Sequence, residues 1–186
     1  MNVVPATIEQ IARGEAVLSE GGVIVIPTDT VYGIAARIDV QSAVDRLFDI
    51  KSRDRKRPMA VLVSDLNMAR GLAVFSEEAL DAAEKGWPGP LTMVLPRTEE
   101  AARFDIGEVE TIGVRIPDHA FAIELIGRAG PLVTTSANPS GHPAAATVDD
   151  MKADLPGVAL FFDAGPIEGR PSKVVSFVDG KKTLRD

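Results

Sequence analysis

The apolar positions of this chain fall into short runs separated by polar breaks, and the clearest run is Val23-Ile24-Val25-Ile26. Four β-branched residues in a row predict a buried strand. Pro27 ends it, because proline cannot donate to a strand ladder. Thr28, Asp29 and Thr30 follow at once, then Tyr32 and Gly33. A strand that delivers hydroxyls and a carboxylate to its C-terminal end is how open α/β sheets build ligand sites. The same three residues are equally ordinary in a β-turn.

The remaining pattern interleaves the two periods. Thr7 and Gln10 have capping-box spacing and predict a helix from residue 8 to about 20, with Ile11, Val17 and Leu18 inward and Gly21-Gly22 at its end. After Gly33 a loop is predicted, then an amphipathic helix over 42–50 with Val44, Leu47 and Phe48 on one face. A strand over 59–63 and a short helix over 66–72 follow. Ser76 caps a helix to about residue 85, and Trp87-Pro88-Gly89-Pro90 makes a rigid turn. Strands are predicted over 91–95 and 111–116, with an exposed acidic loop over 96–110 between them. Asp118 caps a helix over 120–128. A strand over 132–135 runs into Ser136-Ala137-Asn138-Pro139-Ser140-Gly141, Thr147 with Asp150 opens a short helix, and a strand covers 160–163. Residues 174–178 and 181–185 form a hairpin around Asp179-Gly180. The result is an α/β (α+β) chain with a mixed sheet flanked by helices.

Composition narrows the class. The 186 residues fit one domain, and 45% hydrophobic with 25% charged residues is an ordinary globular balance. There is no cysteine, which removes disulfide, thiolate and zinc–sulfur chemistry and fits a reducing compartment. The N-terminus lacks a basic region followed by an apolar run, and no apolar stretch approaches the roughly 18–20 residues that span a bilayer. A cytoplasmic protein with no membrane association is expected. The net charge of −7 argues against a surface that binds nucleic acid all over. Yet residues 51–57, KSRDRKR, hold five basic side chains and one acid in seven positions. Cations are favoured at helix C-termini, so this is either a solvated helix end or a polyanion site.

Phosphate-loop, dinucleotide and nucleophile-elbow signatures are missing. His119 and His142 stand alone in loop-like segments, better read as exposed or capping residues than as metal ligands. What recurs is polar strand ends: Thr28, Asp29 and Thr30; Lys51, Arg53 and Arg57; Thr92; Arg115; Ser136 and Asn138; Ser172. Guanidinium forks, an ammonium and hydroxyls suit a polyanion. Such a site activates a phosphoryl group by position and charge, without a side-chain nucleophile.

Taken in order, the motifs resemble those of the YrdC/Sua5 family of threonylcarbamoyl-AMP synthases. They are PTDTVYGI at 27–34, the K-x-R-x-x-x-R-P-M run at 51–59, WPGPLT at 87–92, GVRIP at 113–117 and TSANPSG at 135–141. DAGP at 163–166, PSKVV at 171–175 and a terminal Leu-Arg ending at Arg185 complete the set. The resemblance implies a YrdC-like twisted mixed sheet with a concave basic cavity, in a short single-domain form. It implies a nucleotidyltransferase that makes threonylcarbamoyl-AMP and pyrophosphate from L-threonine, bicarbonate or CO2, and ATP, for a tRNA-modifying transferase partner.

By the same resemblance, Lys51 and Arg53 are the catalytic phosphate binders and Arg57 is a weaker ATP contact. Thr28 and Thr30 hold threonine or its carbamate, and Arg115 and Ser172 line the threonine and phosphate side. Thr92, Ser136, Asn138 and Arg185 contact the nucleotide. Mg²⁺ comes with ATP; Asp29 either orients it or bonds its own turn. No protein metal site is implied. Leu62 stands where many relatives carry a histidine that contacts threonine, and Lys173 and Ser176 replace the usual Thr and Asp. Two other readings remain: a non-catalytic module that binds tRNA or double-stranded RNA, and a carbamoyl-adenylate enzyme like the hydrogenase-maturation relatives.

Overall fold

Alternation along the strands decides which layer each side chain joins. In the computed structural model, which describes residues 2–107, 110–138, 142 and 144–186, one sheet holds ten strands. They are β1 (Asn2–Pro5), β2 (Ile24–Ile26), β3 (Gly33–Arg37), β4 (Ala60–Leu62), β5 (Leu91–Pro96), β6 (Thr111–Arg115), β7 (Leu132–Ser136), β8 (Leu160–Asp163), β9 (Lys173–Ser176) and β10 (Lys182–Arg185). Their spatial order is β1-β8-β2-β3-β7-β4-β6-β5-β9-β10. β8 is parallel to β1 and β2, β4 to β6, and β5 to β9, while the remaining neighbours are antiparallel. The mixed sheet expected from the interleaved periods is what forms.

Among the described residues six α-helices accompany it: α1 (Ile11–Ser19), α2 (Gln41–Ile50), α3 (Leu66–Leu72), α4 (Glu77–Gly86), α5 (Ala120–Ala129) and α6 (Val148–Met151). The VIVI run is apolar throughout because β2 is buried on both faces. Val23 and Val25 join a core with Val44, Leu47 and Phe48 of α2, Leu72 of α3 and Ala83 of α4. Ile24 and Ile26 join a second core with Ile11 and Leu18 of α1 and Leu125 and Ile126 of α5. Each such side chain contributes about 1.5–3 kcal/mol when fully buried.

The second core takes residues from β1, β2, β3, β7 and β8 and Leu62 of β4, but none from β5, β6 or β9. Those strands bury their other face: Met93 and Leu95, Ile112 and Val114, and Val175 all belong to the first core. Their opposite face is left without a helix, and it carries Thr92, Val94, Thr111, Gly113, Arg115 and Val174. The uncovered half of one sheet face is therefore where a ligand site can form.

Several local expectations need correction. The Thr7 capping box is not made: residues 8–10 form a 3-10 turn in which the Gln10 N–H donates to the Thr7 carbonyl at 3.0 Å, and the Thr7 side chain does not cap it. α5 starts at Ala120 with His119 at the cap position, and Asp118 does not cap it; the Asp118 N–H is instead held by the Asp29 carboxylate at 3.1 Å. The loop expected after Gly33 is strand β3. Gly-Ile-Ala-Ala-Arg has little strand propensity, and pairing with β2 and β7 on both sides overrides it. β1 was likewise not expected. The 96–110 segment is not simply exposed: Ala101 and Ile106 are buried, and Arg97 donates to the Phe104 and Thr111 carbonyls; residues 108 and 109 lie outside the described residues. The final hairpin turns over 177–181 rather than on two residues, because the Phe177 N–H stays bonded to Val94 of β5 at 2.9 Å.

Candidate active site

A cavity of about 410 Å³ occupies the uncovered half of the sheet. It gathers Thr28, Thr30, Arg53, Arg57, Thr92, Arg115, Ser136, Ser172 and Arg185, residues spread over more than 150 positions of sequence. Among the described residues no aspartate or glutamate lines it. In a chain of net charge −7, acids are kept off this surface and four guanidinium groups are brought to it. The donor set fits an anion.

The Thr28–Val31 turn forms one wall. The Thr28 hydroxyl accepts from the Thr30 and Val31 N–H groups and donates to the Val31 carbonyl at 2.6 Å. That commits its single hydrogen to the turn. Thr30, 3.0 Å away, must then donate to Thr28, and it accepts from Arg115 Nη1 at 2.8 Å. Arg115 also donates from Nε to the Gly89 carbonyl at 3.0 Å and from Nη2 to Asp29 at 2.5 Å. Arg115 is only 5% exposed. Burial lowers its pKa, while the Asp29 charge pulls the other way. The Asp29 carboxylate bonds Arg115 and the Asp118 N–H, both remote in sequence, rather than its own turn. Gly169 lies so close over this turn that a Cβ would stand 1.8 Å from the Thr30 carbonyl oxygen, so no other residue fits there.

The opposite wall is the β5–β9–β10 edge. Thr92 and Ser172 share a 2.7 Å hydrogen bond and are both buried. Arg185 of β10 folds back on Ser172, donating to its carbonyl from Nε at 3.0 Å and Nη2 at 2.7 Å.

The basic segment divides its work. Arg53 donates to the carbonyls of Arg57 and Pro58 and, with Arg57, faces the cavity. Burial, then the nearby Arg57, lowers its pKa. Arg55 turns away: it bonds Asp45 and Asp105, both at 2.8 Å, with its guanidinium 4.7 Å from the Phe48 ring centroid. Lys51 does not line the cavity. It is 4% exposed, and its ammonium donates to the carbonyls of Ser136, at 2.8 Å, and Asn138. Burial first, and the Arg53 charge second, push its pKa down to about 8. Asn138 also sits behind the lining, its amide on the His142 carbonyl at 2.5 Å. Pro139, Ser140 and Gly141 of the same motif lie outside the described residues.

His119 is half-buried, edge-on to Phe121, and burial lowers its pKa. Among the described residues, no group of three His, Cys, Asp or Glu side chains could hold a metal ion. No helix among them is long and apolar enough to cross a membrane.

The polar strand ends did not reveal Thr111, Gly113, Val94, Thr134, Thr135, Val174 or Leu184, which also line the cavity. A usable signal was present. In Thr-Ile-Gly-Val-Arg, Thr111, Gly113 and Arg115 alternate with the buried Ile112 and Val114 and so share one face.

Comparison with known proteins follows this geometry. The Bacillus subtilis threonylcarbamoyl-AMP synthase is 36% identical over 176 residues, 91% of this chain and 51% of that protein. The Pseudoalteromonas atlantica threonylcarbamoyl-AMP synthase is 34% identical over 174 residues, 89% of this chain and 91% of that one. The crystal structure of P. abyssi Sua5 complexed with L-threonine superposes with a TM-score of 0.86 at 32% identity, covering 95% of this chain and 53% of that one. The chain thus spans about half of the B. subtilis and P. abyssi proteins and nearly all of the P. atlantica one. The Sua5_yciO_yrdC family model, described as Telomere recombination, matches residues 16–186. With that match, and with its own cavity built from the motifs that resemble the family's, this chain belongs to the Sua5/YciO/YrdC family.

Proposed function

We propose that this chain is an L-threonylcarbamoyladenylate synthase, a nucleotidyltransferase that joins L-threonine, bicarbonate or CO2, and ATP into threonylcarbamoyl-AMP with release of pyrophosphate. The observation that carries the reading is a cavity lined by four arginines and a ring of hydroxyls and, among the described residues, by no acid. Relatives named for this activity align over most of the chain and support it.

The chemistry suits these residues. The threonine amine adds to CO2 and loses a proton, giving a carbamate. A carbamate oxygen attacks the α-phosphorus of ATP; the new P–O bond forms as the bond to the β-phosphate oxygen breaks, and pyrophosphate leaves. Both nucleophiles belong to the substrates, so the protein's work is placement and charge stabilisation. Arg53, Arg57 and Arg185, none of them ion-paired among the described residues, bind phosphate oxygens. Thr92, Ser136 and Ser172 position the nucleotide. Arg115 and Thr30, at the buried end, take the threonine carboxylate and hydroxyl. Lys51 acts from behind, as a fixed positive charge that also shapes the Ser136–Asn138 turn. Thr28 shapes the wall rather than donating to a ligand. Among the described residues no carboxylate lines the cavity, and Mg²⁺ enters as part of the ATP complex, held by phosphate oxygens. A product of this reactivity is expected to pass to a transferase that modifies tRNA.

Pyrophosphate release measured with and without L-threonine and bicarbonate tests the reading. Release should require both. Release indifferent to threonine would reject it, and no release together with salt-sensitive RNA binding would leave a binding module instead.

A further inference from the structure

We propose that Asp29 is a positioning residue for the amino-acid substrate, acting through Arg115. This rests on the reading above. Arg115 has five N–H groups, and three are assigned: to Gly89, Thr30 and Asp29. One N–H on each terminal nitrogen is left, a planar pair suited to a carboxylate. The Asp29 bond fixes the rotation of that pair. Asp29 Oδ1 also holds the Asp118 N–H at 3.1 Å, so one oxygen ties the end of β6 to the segment entering α5.

The side chains of Arg115 and Asp29 are 7% and 14% exposed, out of reach of solvent screening. Arg185 lies on the far wall and repels Arg115. Without the Asp29 charge, nothing acidic among the described residues lining the cavity opposes that repulsion. The pair also sets a division of labour. Arg115, neutralised by Asp29, matches a singly charged, small carboxylate, whereas the unpaired Arg53, Arg57 and Arg185 match the triphosphate. Asp29 touches no ligand-facing surface of the cavity, so its effect passes through the guanidinium it holds.

The test is steady-state pyrophosphate release by wild type, D29N, R115K and the D29N/R115K double variant, with L-threonine and ATP varied separately. D29N should raise the KM for L-threonine about tenfold or more while that for ATP moves less than about twofold. In the R115K background D29N should add nothing, because the residue it acts through is already altered. Should D29N not fold, D29E, which keeps the charge but moves it one methylene, is carried through the same cycle and should show the same coupling. Equal effects of the Asp29 substitution in both backgrounds, a parallel rise in both KM values, or no change in the KM for L-threonine would overturn the proposal. A wild-type protein without threonine-dependent release would instead overturn the functional reading, and this inference with it.

Discussion

Arg115 and Arg53 line the same cavity and are held there in opposite ways. Arg115 is sealed into the wall, countered by Asp29 and bonded to Thr30 and the Gly89 carbonyl. Arg53 stands at the rim, bonded to main-chain carbonyls of its own segment, and no acid among the described residues pairs with it. A buried cation without a partner is costly, so the first arrangement is part of the fold. A half-exposed cation without a partner keeps its field available to a ligand, so the second is part of the chemistry. The two regions should therefore fail differently.

The largest effect is expected on stability at the sealed wall. Arg115→Ala strands Asp29 and should cost about 3–5 kcal/mol, read as a lowered urea midpoint. A midpoint within error of wild type would mean the pair is not structural. At the rim, Arg53→Ala should lower kcat about 10²–10³-fold while the unfolding free energy changes by about 1 kcal/mol or less. Equal losses of stability in the two variants would erase the distinction.

Next comes pH. Lys51 has its pKa pushed down to about 8, so kcat/KM for ATP, which reports the free enzyme, should fall about tenfold per pH unit above that value. Stability should move the other way. The unfolded chain holds the lysine proton up to its ordinary value of 10.5, so between about 8 and 10.5 it binds more protons than the folded chain, and stability rises with pH. The smallest effect is expected at exposed Arg57, where Arg57→Ala should raise the KM for ATP about 2–5-fold, less at high salt.

Local signals foretold much of this. α3 starts and stops where its apolar spacing predicts, and the Ser76 cap of α4 forms as its sequence suggests. β2 is apolar at every position because both its faces are covered. β3 was missed because Gly33, Ala35 and Ala36 carry no strand preference of their own. The basic segment was legible as a cluster but not as three roles: Arg55 in ion pairs, Arg53 and Arg57 at the rim, Lys51 beneath the floor.

The sequence alone determined the alternation of strands and helices and the polar residues at strand ends, because periodicity and breakers act over a few neighbouring residues. Tertiary structure decided which end faced which. Only the strand order places Thr28–Thr30, Arg115, Ser172 and Arg185 around one hollow, and only the absence of helix cover over β5, β6 and β9 leaves that hollow open. Pairing partners far apart in the chain are chosen by packing both faces of the sheet at once, and that choice is not written in any one segment.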